Sequence, residues 1–78
     1  MSAKTVEPSR ALLALHNSMI PALRKLRLEE TNQAIIIYGV VSSYYQKQLA
    51  QETIKPVLDG RKLLNRVIVD RSEEPAHS

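Results

Sequence analysis

The chain has 78 residues, which is enough for one compact domain but too few for a second hydrophobic core. Its hydrophobic fraction of 44% and charged fraction of 24% are those of a globular protein and exclude a largely disordered chain. The absence of cysteine excludes disulfides and thiolate chemistry, and the net charge of +3 arises from 11 bases mixed with 8 acids.

The first predicted element is a helix from Pro8 to Ile20, because apolar residues recur there at helical spacing. Its apolar positions are Leu12, Leu13, Leu15, Met19 and Ile20. Pro21 disfavours the helical conformation at the residue before it, so we expect the helix to end or kink at Ile20. Residues 22–25 then form a connector or a last irregular turn.

Two strands joined by a tight turn are predicted next. Residues 26–29 alternate apolar and charged side chains, as in a strand with one buried face, and Asn32 tolerates the positive φ of a reversal. The run 34–41 is apolar on both faces. Its alternate residues are Ile35, Ile37, Gly39 and Val41 on one face and Ile36, Tyr38 and Val40 on the other. Gly39 indicates either a bulge or, as we expect, a close approach of helix backbone.

A second helix is predicted to begin at Ser43, because Ser43 and Gln46 match a capping box. Its apolar side carries Leu49, Ala50, Thr53 and Ile54. Pro56 should stop it near Ile54 or Lys55. A turn at Asp59-Gly60 then leads into a third strand. That strand alternates Leu63, Asn65, Val67 and Val69 with Leu64, Arg66 and Ile68.

This order predicts an α+β fold, an α-β-β-α-β two-layer sandwich with two helices on one face of a three-stranded mixed sheet. The domain spans residues 8–70, between a flexible N-terminus at 1–7 and a flexible tail at 71–78. The uncovered sheet face would carry an apolar patch of a kind that meets a partner. The patch consists of Ile36, Tyr38, Val40, Leu64 and Ile68. The alternative is that part of the N-terminal segment covers it.

The junction from Gly39 through Ser43 to Glu52 resembles the strand-to-helix junction of the BON domain, named for bacterial osmotically induced and nodulation proteins. Gly60, three residues before the run 63–67, supports the resemblance, which extends from Leu26 to Val69. It implies the same sandwich, with Gly39, Ser43 and Gly60 as structural positions. It also implies a non-catalytic module that associates with phospholipid surfaces or other proteins. Departures from the family pattern are the missing glycine at the 32–33 reversal, Arg61 in place of a valine, and the unusually apolar Ile36 and Tyr38.

No arrangement of residues in the sequence indicates catalysis, a cofactor or a metal site, so we predict that the chain is not an enzyme. His16 and His77 have no acid or second histidine at ligand spacing. Ser43 is explained by helix capping, and no base lies near it in sequence. Glu29 and Glu30 are adjacent on a strand and therefore point to opposite faces.

Two binding roles remain. The leading hypothesis is a module that self-associates or docks a protein partner through the apolar patch, with Tyr38 as anchor. The alternative is peripheral binding to anionic phospholipid through four bases, Arg24, Lys25, Arg61 and Lys62. Nucleic acid is not expected, because the bases are scattered and Tyr38 is the only sheet aromatic. The sequence shows neither a signal peptide nor a transmembrane run, so a cytoplasmic protein is expected, with export as the alternative if the chain is a fragment.

Overall fold

The structure is a computed structural model, and it describes residues 9–71. Its elements in chain order are α1 (Arg10–His16), α2 (Pro21–Arg24), β1 (Arg27–Glu30), β2 (Ala34–Val41), α3 (Tyr44–Ile54), a 3-10 turn (Lys55–Val57) and β3 (Lys62–Val69). This is the predicted α+β order, with a shorter first helix and with an additional short helix, α2, where a connector or a last irregular turn was predicted. The predictions for residues 1–7 and 72–78, and for Pro8, lie outside the described residues.

The sheet has the strand order β1-β2-β3, so β2 is central. β1 runs antiparallel to β2, with Arg27 opposite Tyr38. β2 and β3 run parallel, and their register extends from Ala34 opposite Lys62 to Val41 opposite Val69. The mixed sheet is therefore confirmed, and α3 forms the crossover that a parallel pair requires.

A two-residue loop, Asn32-Gln33, reverses the chain between β1 and β2. The Thr31 amide donates to the Ala34 carbonyl at 2.8 Å, and the Thr31 hydroxyl accepts from the amides of Gln33 and Ala34 at 3.0 and 2.9 Å. The reversal lies where it was predicted. Asn32 does not adopt the expected positive φ, because the threonine side chain closes the turn instead.

The first helix is shorter than the sequence predicted. The Ser9 hydroxyl accepts a hydrogen bond from an amide of the first turn of α1, and the helix ends at His16 rather than at Ile20. Pro21 occupies the first turn of α2, a position where its missing N–H leaves no hydrogen bond unmade. Ile20 before it is extended, with φ −95° and ψ 113°. The proline therefore begins a short helix instead of ending a long one.

The helices and one face of the sheet enclose a single core. Its buried residues are Ala11, Leu15, Leu23, Leu26, Ile35, Ile37, Val41, Ala50, Ile54 and Val67. The inward face of β2 matches the prediction, since Ile35, Ile37 and Val41 are all buried. The predicted apolar stripe of the first helix is only partly right, because Leu13 is 43% and Met19 is 90% exposed.

Ser43 caps α3 as predicted, since its hydroxyl accepts from the Gln46 amide at 3.2 Å. The Gln46 side chain reaches one residue further back than a capping box requires. Its Oε1 accepts from the amide of Ser42 at 3.0 Å and from the Ser42 hydroxyl at 3.2 Å. The helix ends at Ile54, and Pro56 lies in the 3-10 turn that follows, which confirms the predicted end.

Gly39 marks a close approach, but the approaching group is Leu26 and not helix backbone as expected. A Cβ on Gly39 would lie 2.5 Å from the Leu26 Cδ2, and Gly39 has a φ of +138°. The ladder between β2 and β3 runs through Gly39 without interruption, which excludes the bulge in that pairing. Gly60 has a φ of +84° and follows Asp59 at φ 57°, and these values form the predicted turn.

Candidate interaction face

The sheet face turned away from the helices is the candidate site, and we call it the open face. Side-chain alternation and register place on it Arg27, Glu29, Ala34, Ile36, Tyr38, Val40, Lys62, Leu64, Arg66 and Ile68. All five apolar patch residues named from the sequence belong to it. Val40 and Ile68 lie opposite each other and are 56% and 60% exposed.

A charged row crosses the middle of the open face. Arg27 on β1 and Arg66 on β3 both lie directly opposite Tyr38 on the central strand. Side chains in such positions are nearest neighbours on a sheet surface. Tyr38 is therefore flanked by one guanidinium on each side. Sequence reasoning missed this row, because only the register of three strands brings these residues together.

Tyr38 is held in place by Glu29, which lies on β1 one diagonal step away. The Tyr38 hydroxyl donates to the Glu29 Oε1 at 2.8 Å. This hydrogen bond, followed by partial burial and the charge of the carboxylate, raises the pKa of Tyr38 above its ordinary value, and Arg66 opposes the rise. The two side chains and Arg27 and Leu28 line a shallow depression of about 360 Å³.

The Arg61 side chain forms hydrogen bonds and an ion pair within the domain. Its Nη1 donates to the Glu30 Oε1 at 2.9 Å, and both side chains are partly exposed. Its Nε and Nη2 donate to the carbonyls of Leu58 and Val57 at 2.8 and 3.2 Å. These bonds join the end of β1 to the loop before β3.

The four bases named from the sequence do not share one surface. Arg24 donates to the Ser18 carbonyl at 2.8 Å near α2, and Arg61 is engaged as just described. Lys25 follows α2. Lys62 is the one member of the set that lies on the open face. The cationic surface of the sheet is made instead by Lys62 together with Arg27 and Arg66.

Asn65, on the helix side of β3, connects this strand to α3. Its Nδ2 donates to the Lys47 carbonyl at 3.0 Å and to the Gln51 Oε1 at 3.4 Å. Its Oδ1 accepts from the Val67 amide at 3.2 Å. One side chain therefore fixes the helix on the strand and also satisfies a backbone donor of β3.

The Val67 amide lies on the outer edge of β3, the side away from β2. The amides of Lys62 and Asp70 donate to β2 or to the loop before it. Because amide direction alternates along a strand, the Val67 amide, five residues after Lys62, points outward. The middle of the outer edge is thus occupied by the Asn65 side chain.

Within residues 9–71, no three histidine, cysteine or acidic side chains are grouped closely enough to bind a metal ion. Over the same residues, no helix has the length and apolarity needed to span a bilayer. His16 is exposed in the last turn of α1, and His77 lies outside the described residues.

Comparison with protein-family models, with curated proteins and with solved structures gives no match to this chain. The resemblance to the BON domain therefore remains a hypothesis that rests on the sequence.

Proposed function

We propose that the protein is a non-enzymatic, BON-like interaction module that docks a protein through its open face, either a second copy of itself or a different chain. The observation that supports this most is the exposure of Val40 and Ile68, at 56% and 60%, side by side on the two long strands. Apolar side chains gathered in one exposed patch are typical of contact surfaces.

Tyr38 is suited to be the anchor of this interface. It lies at the centre of the open face, and its hydrogen bond to Glu29 fixes the direction of the ring before any partner arrives. Tyrosine and arginine are enriched among the residues that dominate binding energy, and Tyr38 has an arginine on each side. A side chain that is already ordered loses little further entropy on binding.

The dimensions of the open face favour a weak, reversible association. β2 and β3 have eight residues each, and β1 has four. Such a sheet measures roughly 26 by 14 Å. The area of its face is therefore about half of the roughly 800 Å² that each partner buries in a standard stable interface. We therefore expect transient docking rather than an obligate complex.

Site-specific photo-crosslinking in the producing cells tests this proposal. A photoreactive amino acid is placed at Ile68 on the open face and, as the matched control, at Gln48 on the exposed side of α3. We expect a discrete protein adduct from position 68 and none from position 48. An adduct of twice the chain mass identifies a second copy, and any other mass identifies a different protein. No protein adduct at 68, or equal adducts at both positions, would contradict the proposal.

A second candidate function is peripheral binding to anionic phospholipid. It is favoured by the three bases Arg27, Lys62 and Arg66, which lie beside apolar side chains on the open face. A surface that combines cations with exposed apolar groups suits the interface of an anionic bilayer. Co-sedimentation with anionic vesicles, and with zwitterionic vesicles as the control, tests it. Binding to the anionic vesicles alone, weakened by salt, is the expected result, and its absence would remove this function.

A further inference from the structure

We infer that the partner of the open face is an acidic protein segment whose carboxylates are received by Arg27 and Arg66 on the two sides of Tyr38. The inference rests on the proposed function and specifies the chemistry of the partner. It is carried by the charge of the face, by the spacing of the two arginines and by their lack of partners within the domain.

The spacing of the arginines suits an extended chain. Arg27 and Arg66 lie on the two strands that flank Tyr38, so their backbones are about 10 Å apart. Alternate residues of an extended segment lie about 7 Å apart on one side, within the reach of two long arginine side chains. Each guanidinium has the planar donor geometry that binds a carboxylate through two parallel hydrogen bonds.

The two arginines are also available. Neither the Arg27 nor the Arg66 side chain forms a hydrogen bond or ion pair with any residue in the range 9–71, whereas the side chains of Arg24 and Arg61 both donate to groups of the domain. Within the three strands, the open face carries three bases, Arg27, Lys62 and Arg66, against one acid, Glu29, whose carboxylate accepts the Tyr38 hydroxyl. The positive charge of the face is thus left for a partner to neutralise.

The same charge disfavours a second copy stacked face to face. Each copy would bring its own Arg27, Lys62 and Arg66 against those of the other, and like charges that face each other across an interface oppose binding. Val40 and Ile68 lie next to the charged row, and apolar side chains of a partner would bury their exposed surface. The fitting occupant therefore combines carboxylates with aliphatic side chains.

Titration of the isotope-labelled full chain with two synthetic peptides, followed by NMR, tests the inference. One peptide carries glutamate and valine together on one side of an extended chain, with serine at the intervening positions, and in its matched control lysine replaces each glutamate. We expect the glutamate peptide to shift amide signals of β2 and β3 and to bind at least about tenfold more tightly than the lysine peptide. Arg27→Gln and Arg66→Gln should each weaken it roughly threefold to fivefold, the range of exposed ion pairs. Arg10→Gln removes the same charge from α1 and should have no effect.

The possible outcomes separate this inference from the proposed function. Equal binding of both peptides at the open face would overturn the acidic partner while leaving protein docking in place. Glutamate-peptide binding that neither arginine variant weakens, or no binding of either peptide at millimolar concentration, would also overturn it. Shifts confined to the helices would contradict the docking face itself. Shifts of the open-face signals by anionic vesicles, without shifts by the peptide, would assign the arginines to lipid.

Discussion

At the scale of single residues, the packing of Gly39 shows how the sheet accepts the connector before β1. Leu26 is 4% exposed and lies against the notch that the missing side chain leaves. The backbone of Gly39, at φ +138°, is in a region that other residues rarely adopt. Both the volume and the backbone conformation at this position therefore require glycine.

Gly39→Ala should destabilise the domain by roughly 2–4 kcal/mol, through backbone strain and the clash with Leu26 together. Gly60→Ala is the matched control, because Gly60 has a φ of +84° but no atom lies within 4 Å of the position of its Cβ. It should cost only about 1 kcal/mol, from strain alone. Urea denaturation measures both values. Equal losses would show that the contact with Leu26 contributes nothing.

At the scale of elements, β2 determines both the core and the candidate site. Its neighbouring residues Val40 and Val41 are 56% and 2% exposed, because consecutive side chains point to opposite faces of the sheet. The strand is apolar on both sides, but only one side is covered by the helices. This asymmetry creates the open face.

The pair Val41→Ala and Val40→Ala tests that asymmetry with one substitution on each face. Val41→Ala should lower the free energy of unfolding by about 1.5–3 kcal/mol, because it removes buried methyl groups. Val40→Ala should change it by no more than about 0.5 kcal/mol. Chemical denaturation of the two variants gives the comparison. A loss at Val40 as large as that at Val41 would mean that the open face is covered within the chain.

The elements also show where sequence reasoning works. Alternation along β2 and β3 assigned each face, because burial on one side and exposure on the other act on every second residue. The end of α1 could not be predicted from Pro21. A proline disfavours the helical conformation at the residue before it, but this does not show whether a helix ends before the proline or begins at it. In the structure, the Ser18 hydroxyl accepts from the Ile20 amide at 3.0 Å in the non-helical segment that precedes Pro21. This hydrogen bond does not change the spacing of apolar residues, so hydrophobic periodicity does not reveal it.

At the scale of the whole molecule, one core joins every element, so the domain should unfold as a unit. The core draws residues from each helix, from β2 and β3 and from the connector before β1. A domain of this size has a stability of only about 5–10 kcal/mol or less, so the loss of one core side chain is a large fraction of it.

Leu15→Ala should therefore cost about 2–5 kcal/mol and shift the unfolding of helix and sheet together. Leu13→Ala, in the same helix at 43% exposure against 0% for Leu15, is the control and should cost much less. Thermal unfolding followed by the NMR amide signals of α1 and of β3 reports on both layers. Separate transitions for the two signals would show that α1 does not share the core.

Contacts between distant parts of the chain account for what the sequence could not reveal about the site. Arg61 was named as a possible contact to anionic phospholipid, yet it pairs with Glu30, 31 residues away. Arg27 and Arg66 were passed over, although the register of the sheet brings both beside Tyr38. Residue type gave the charges, but strand pairing decides which of them are engaged and which are available.

The hydrogen bond between the Asn65 side chain and the Val67 amide affects the aggregation of this domain at high concentration. A strand arriving along the outer edge of β3 would find the Val67 amide already bonded at mid-length. Sheet extension from one molecule to the next, the route to fibrillar aggregates, is therefore obstructed by a residue that also holds α3 in place. The β3 edge is thus less open to strand addition at its middle, while the open face stays accessible for recognition.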